Sequence, residues 1–543
     1  MKQMAFRNPR QARDMEGGMR DRSKHMIFAG TLLMTLVAVA GTAAAAGNFQ
    51  LVEAAKDQDR TAVRALVNQH ADVNARADDG STALLWAAHW NDLETAGALL
   101  RAGADANAAN DFRMTPLSQA CVNGSAALVA LLLSAGANPN TAIGTGETPL
   151  MTCAKSGNAD AVRTLIAHDA AINAKEPVQN QTALMWAAAE HHPDVVKMLI
   201  DAKADLQAHT KKGFTALHFA AREGDQESAR LLLAAGLNVN SSTQPEASKR
   251  SESPEETAGT SGAGFRRGYN KGPGNAGYTP LLVATVRGQV PLALFLLEQG
   301  ADPNAGEAGY TPLHWAVTTW EGGTANPVYG IEDAMSGIPD RQAKLQLVKA
   351  LLAHGANPNA RMTVAPPSFA AGYTDTVGAT PIVLASAVDD VEMMRILLAA
   401  GADPKTVTGT NTTAIMAATG LHHLVGESPV TETQALAAVK VLLDAGVTPK
   451  GASTFGENAL FGPAYRGWNT LLAQLIDLGV DVNAVSKAGV TPWLAANGQG
   501  DRLGGVLYNK EGADLLFKHG ADPKLGHPCQ AQNICRELTP EKQ

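Results

Sequence analysis

Between Gly80 and Ala108 the chain reads GSTALLWAAHWNDLETAGALLRAGADANA, and its apolar residues fall into two short helical patterns. Leu84, Ala87 and Ala88 share one face of a first helix, capped by the hydroxyl of Thr82. After a polar turn at Asn91-Asp92, residues Leu93, Ala96, Leu99 and Leu100 mark the buried side of a second helix. Gly103 then stands where a helix end wants a residue that accepts the left-handed conformation. Each helix has about ten residues, too few to be stable alone in water. The unit therefore needs neighbours that cover its apolar side.

The sequence supplies them at a fixed period. The capping threonine returns as Thr115, Thr148, Thr182 and Thr215, in steps of 33 or 34 residues, then as Thr279, Thr311, Thr380, Thr413 and Thr491, with Asn458 taking the place once. Proline follows it at Pro116, Pro149, Pro280, Pro312, Pro381 and Pro492, where a first helical turn loses nothing by the missing N–H. The second helix ends repeatedly as LLRAGADAN, LLSAGANPN, LLAAGLNVN, LLEQGADPN, LLAHGANPN and LLAAGADPK. Asp169 and Lys203 replace the glycine of that ending in two units, which implies either a different turn or a weakened joint there.

This unit, with its TPLH-type start and LLxxGADxN-type end, resembles the ankyrin repeat. Thr311-Pro312-Leu313-His314-Trp315-Ala316 and Thr215-Ala216-Leu217-His218-Phe219-Ala220 carry the resemblance most fully, and it spans roughly residues 48 to 525. It implies an all-α solenoid of about twelve helix-turn-helix repeats joined by β-hairpin-like fingers, with His218 and His314 bracing the turns of their repeats. It also implies a protein partner on the concave face made by the fingers and first helices. A solenoid explains how one architecture occupies 543 residues, because each repeat contacts only its neighbours. Aromatic residues at only 5% and the abundance of alanine and leucine agree with a helical stack.

The ends and interruptions divide the chain. Residues 1–46 read as a secretory signal peptide: Lys2, Arg7, Arg10, Arg13, Arg20, Arg22 and Lys24 precede an apolar stretch from Met26 to Ala40, and Ala43 to Gly47 offers small-residue cleavage sites. Met19 is an alternative start, and an uncleaved membrane anchor is the competing reading, since Met26 to Ala46 is just long enough to span. Repeats one to six occupy 47–240, and repeats seven to twelve occupy 276–525. Between them, 241–275 is rich in serine, glycine, proline and charge, which reads as a disordered linker inserted in a finger. Further insertions follow Trp320 in repeat eight, surround Pro366 in the finger after it, and surround Gly426 in repeat ten and Gly504 in repeat twelve. Residues 526–543 form a polar tail.

Charge narrows the partner. The whole chain carries −8, and loss of a basic leader with net charge of +4 leaves the remainder near −12. No basic stripe survives, which excludes a nucleic-acid partner on charge grounds. No metalloprotease, nucleophile-elbow or phosphate-loop motif is present, so the reading is non-enzymatic, with no cofactor. Cys529 and Cys535, six apart in the tail of an exported chain, are expected to pair as a disulfide. Cys121 and Cys153 sit at alanine positions of adjacent first helices and are expected to be free, buried thiols.

The expected partner-binding residues are aromatic and basic side chains at two repeated positions. Met114, Phe214, Tyr278 and Tyr310 precede the cap residue at the fingers. His89, Trp90, Arg222, Arg287, Trp320, Tyr465 and Arg466 stand near the ends of first helices. Exposed together, such residues have the composition of interface hot spots. The reading is an exported, monomeric, protein-binding scaffold in a periplasm or outside the cell. An accessory to periplasmic redox or metal enzymes, acting through the Cys/His tail, and a membrane-tethered structural protein are the alternatives.

Overall fold

The computed structural model describes residues 50–244, 277–317, 338, 340–364, 376–421, 430–499 and 508–526. They form two rows of helices. First helices stack on first helices, from Ala83–His89 in repeat two through Pro116–Val122, Pro149–Ser156, Ala183–Ala189 and Ala216–Glu223, and onward to Pro492–Ala496 in repeat twelve. Second helices stack behind them, from Arg60–Asn68 in repeat one to Lys510–Lys518 in repeat twelve. Among the described residues there is no sheet, only the isolated bridges Arg76–Thr82 and Val407–Thr413 within fingers. The expected all-α ankyrin solenoid is the observed architecture.

Most first helices start as the sequence implies, but Asn458 does not cap its helix, which begins at Phe461 after Leu460 with no side-chain cap, and Thr380 makes no cap bond to its own helix. Thr82, Thr115, Thr182, Thr279, Thr413 and Thr491 hold extended backbone and accept an N–H three residues on. His218 and His314 extend this cap. Their Nδ1 atoms lie 2.9 and 2.8 Å from the Oγ1 of Thr215 and Thr311, and their Nε2 atoms lie 2.9 Å from the carbonyls of Tyr278 and Ala360 in the next finger. Each imidazole therefore clamps its own turn to the following repeat.

The recurring asparagine does the same on the other side of the finger. Asn107 donates Nδ2 to the Gly136 carbonyl, 3.0 Å away, while its Oδ1 accepts the Asn138 N–H at 2.7 Å. The same two-way bond joins Asn74 to Gly103 and Asp105, Asn140 to Asp169 and Ala171, and Asn240 to Gly300 and Asp302. It returns at Asn304, Asn359 and Asn483. A carboxamide is suited to this because it offers donor and acceptor at once. Asp169 and Lys203 adopt the left-handed turn at φ 60 and 68°, and the Asp169 carbonyl keeps its rung, so the turn is conserved without glycine. Lys405 and Lys450 occupy the asparagine position in repeats nine and ten. Lysine has no acceptor, so two consecutive joints lack the rung.

First helices approach so closely that small residues line the joint. Ala88, Ala120, Ala154, Ala187, Ala188 and Ala220 are all at most 1% exposed. Cys121 and Cys153 take this place at one joint, with Cα atoms 4.5 Å apart, and they are joined as a disulfide. This corrects the expectation of two free thiols: the spacing that calls for alanine also lets two cysteines bond. Cys529 and Cys535 lie outside the described residues, as do the leader, residues 245–275 of the expected 241–275 linker, and Trp320. Residues 241–244 instead belong to the finger, where Thr243 is buried and bonded to the backbone of Gly277 and Tyr278.

These contacts can be tested at the disulfide and at the histidines. Replacing Cys121 and Cys153 together with alanine restores the residue that other joints carry, so it isolates the cross-link from packing. The loss should be about 3–4 kcal/mol on a chain-entropy estimate for a loop of this length, read as lower amide protection in repeats three and four. Free thiols at both positions in a non-reducing peptide map of the native protein would rule the bond out. For the histidines, burial pushes both pKa values down from 6.5 to about 4. Their contribution is therefore complete above pH 6.5 and is lost as pH falls toward 4, about 3 kcal/mol for each ring. Denaturation midpoints measured from pH 7.5 to 4 should show this slope, and His218→Gln with His314→Gln should flatten it.

Candidate functional site

Along the row of first helices, the fifth residue counted from the cap is aromatic in several repeats, buried at Phe219 and Trp315 and half-buried at the tryptophans of repeats two and five. It is Trp86 in repeat two, Trp186 in repeat five and Phe219 in repeat six. A cation lies over each ring. Lys56 sits 5.9 Å from the Trp86 ring, Lys155 4.3 Å from Trp186, and Arg222 5.0 Å from Phe219. Lys56 and Lys155 come from the preceding repeat and pair in the same register, whereas Arg222 comes from the same helix as Phe219. Phe214 adds to the last pair, edge-on to His218 at 5.5 Å and tilted against Phe219 at 6.4 Å. The finger tips beside the first-helix face expose Phe112 (73%) and Val178 (61%), neither of which the sequence pattern singles out. Both sit at the apex of a finger, a position visible only once the turn geometry is known.

The expected binding residues separate into two groups. His89 and Trp90 are exposed, Met114, Phe214, Arg222 and Arg287 are half-buried, and all six border the first-helix face. Trp90, 42% exposed, also plays a structural part, since its indole N–H donates to the Lys56 carbonyl at 3.0 Å and caps the helix of repeat one. Asn123 does likewise for the carbonyls of Ala88 and His89. Arg222 is held by Glu223 as well as by the ring.

Tyr278 and Tyr310 do not belong to the surface. They are only 7% and 2% exposed, and their hydroxyls share a hydrogen bond of 2.6 Å. The Tyr310 ring lies 6.0 Å from Trp315, and burial beside Tyr278 pushes its phenol well above the ordinary tyrosine range. The two rings pack finger against finger and offer a partner nothing, which corrects the expectation that both are contacts. Arg466 is also drawn inward. Its guanidinium stacks 4.8 Å from Trp468, and its neighbour Tyr465 is half-buried against the core.

A second cluster lies on the opposite edge, where first helices turn into second helices. The second helices of repeats eight and ten, Arg341–Ala353 and Glu432–Asp444, have 13 residues, whereas that of repeat nine, Val391–Ala399, has 9. The shorter helix leaves an open notch of about 520 Å³ lined by Arg341, Asp389, Asp390, Glu392, Arg395 and Gln434, among others. Arg341 bridges it, bonded to Asp390 at 3.0 Å and Glu392 at 2.7 Å. Asp389 is buried, and burial raises its carboxyl to about 8 against the opposing pull of Arg466. Burial likewise lowers Lys344 and Arg466. Among the described residues there is no group of three or more metal-ligating side chains, and no helix is long and apolar enough to cross a membrane.

Comparison with known proteins agrees with this geometry. The family model for ankyrin repeats in three copies matches residues 51–143 and 150–243, and the single ankyrin-repeat model matches 276–307 and 308–363. Inversin of Danio rerio is 38% identical over 72 residues, which are 13% of this chain and 7% of that protein, so the chain spans a small part of that relative. The crystal structure of the human ASB11 ankyrin repeat domain is 30% identical, covering 36% of this chain and 86% of that one, with a TM-score of 0.33. Repeats of this family generally mediate protein–protein interaction and are typically non-enzymatic. With matches over just more than half of its length and the repeat geometry continuing beyond them, the chain belongs to the ankyrin-repeat family.

Proposed function

We propose that this protein is an exported, non-enzymatic scaffold that binds a protein partner along its first-helix and finger face, centred on repeats two to six. The observation that carries the reading is the recurrence of cation-covered rings: Lys56 on Trp86, Lys155 on Trp186 and Arg222 on Phe219. Ring and cation are held together before any partner arrives, so binding orders fewer side chains and keeps more of its energy. Phe112 and Val178 border the same face and supply exposed apolar anchors. The face is not centred on Tyr278 and Tyr310, because both are committed to packing. Export is supported by the basic, apolar and small-residue order of residues 1–46 and by the Cys121–Cys153 bond, since disulfides persist in oxidising compartments.

Two measurements test the proposal. Alanine at Phe112, Lys155 and Arg222 together should weaken capture of the partner from a periplasmic or secreted fraction by about thirtyfold or more, with the melting temperature unchanged. Tyr278→Phe with Tyr310→Phe should do the reverse, lowering stability while leaving capture intact; full capture by the triple variant would place the partner elsewhere. Mass spectrometry of the native protein should find an N-terminus between Ala45 and Asn48, and an intact Met1 or Met19 on a cytoplasmic protein would end the export reading.

A further inference from the structure

Repeats nine to eleven depart from the rest of the stack in several ways at once. Lys405 and Lys450 remove the asparagine rung from two successive joints. The first helix of repeat ten shrinks to Ala414–Ala418. In repeat eleven, Asn458 replaces the capping threonine, and Gly462 lies so close to the Thr419 carbonyl that no Cβ would fit. Backbone bonds between fingers persist here, from the Gly409 N–H to Val377 and from the Thr454 N–H to Thr410, so it is the two-way carboxamide rung that is missing.

Asp389 stands at this place, in a position that should not attract a carboxylate. It occupies the left-handed turn between the helices of repeat nine, φ 50°. Repeats three, four, six and seven use glycine there (Gly124, Gly157, Gly224 and Gly288), and repeat two uses Asn91. The side chain is 6% exposed, and its Oδ1 has no hydrogen-bond donor. Left-handed backbone, burial of a carboxyl and an unmet acceptor each cost free energy. Glycine would avoid all three. What aspartate adds is a group that interacts electrostatically with Arg466, two repeats further on, whose Nε lies against the bare Cα of Gly420 in the repeat between.

We propose that repeats nine to eleven form a hinge in the solenoid, closed when the Asp389 carboxyl is buried opposite Arg466 and opened when that carboxyl is ionised and hydrated. The notch beside it gives water a route, because Asp389 itself lines the notch. The other charged groups around it are largely committed. From repeat eight, Arg341 is bonded to Asp390 and Glu392, and Lys344 is buried with Asp390 as its attracting charge. From repeat nine come Asp390, Glu392 and the exposed Arg395. From repeat ten, Glu432 accepts the Leu471 N–H. The first helices of repeats nine and ten, Pro381–Ala387 and Ala414–Ala418, carry no ionisable side chain, and that of repeat eight has only His314, engaged at the finger.

Linkage sets the direction. The closed form keeps the Asp389 proton up to about pH 8, whereas a hydrated carboxyl gives it up near 3.8. Raising the pH between those values therefore favours the open form, by up to about tenfold per pH unit.

Hydrogen exchange on the full chain from pH 5.5 to 9 tests this, reading the amides of Ala414–Ala418 and Phe461–Arg466. After correction for intrinsic exchange, protection there should fall by up to about tenfold per pH unit up to pH 8, while amides of repeats three and four hold. Asp389→Asn keeps the shape without the charge and should abolish the fall. Should that variant fold poorly, Asp389→Gly suits the turn and should likewise be flat. Equal profiles in the parent and a folded variant, or no fall in the parent, would overturn the hinge.

Discussion

Everything in this solenoid rests on the joint between one repeat and the next, and the carboxamide of one asparagine spans most of those joints. Asn107, for example, donates to Gly136 and accepts from Asn138 across a single repeat boundary. The helices it joins have seven to nine residues, below the length at which a helix holds itself in water. No distant part of the chain can compensate, because contacts run between neighbours only. The carbonyl the asparagine uses belongs to the left-handed turn that ends a second helix, where orphan acceptors gather. One side chain thereby satisfies a helix end, fixes the next turn and sets the spacing at which first helices meet. Alanine at the joint, and cysteine at one of them, are consequences of that spacing.

The repeat, the caps and the turn glycines are legible in sequence because each is decided within a few residues. Thr82 caps its helix whatever the neighbour does, and even Lys203 follows the local turn. Features decided between repeats are less legible. Cys121 and Cys153 read as buried alanine substitutes when each is compared with its own repeat. Only when the seventh residue from one cap is set beside the sixth from the next do they become partners. Tyr278 and Tyr310 mislead for a related reason. A finger aromatic is exposed or buried according to the adjacent finger, and here each is the other's cover. Their neighbours Met114 and Phe214 remain half-exposed at the same position, so no rule about that position alone separates the two outcomes.

The surface that supports partner binding is partly visible in sequence. Trp86 and Trp186 are half-buried against the core. The cations above them come from the preceding repeat, so neither helix viewed alone suggests a ring with a charge already seated on it. Arg466 resembles such a residue in sequence but is drawn toward Trp468 and Asp389. The difference lies in what stands opposite: Lys155 meets an open ring face, while Arg466 meets the gap left by Gly420.

The buried ionisable groups also pull the stability of the stack in opposite directions. His218 and His314 are neutral in the fold and become a burden as pH falls below 6.5, because burial disfavours the imidazolium. Asp389 is neutral in the fold too, but it becomes a burden as pH rises toward 8, because the unfolded carboxyl has already released its proton. Near neutral pH the fold therefore keeps His218, His314 and Asp389 largely uncharged. Screening by salt has little leverage on the two fully buried histidines. The two burdens fall on different joints, with the histidines at the fingers of repeats six and eight and the aspartate at the turn of repeat nine. In a structure whose cooperativity passes from neighbour to neighbour, acid and base should loosen different places. Acid acts where the turns are otherwise best braced, and base acts where the asparagine rungs are missing.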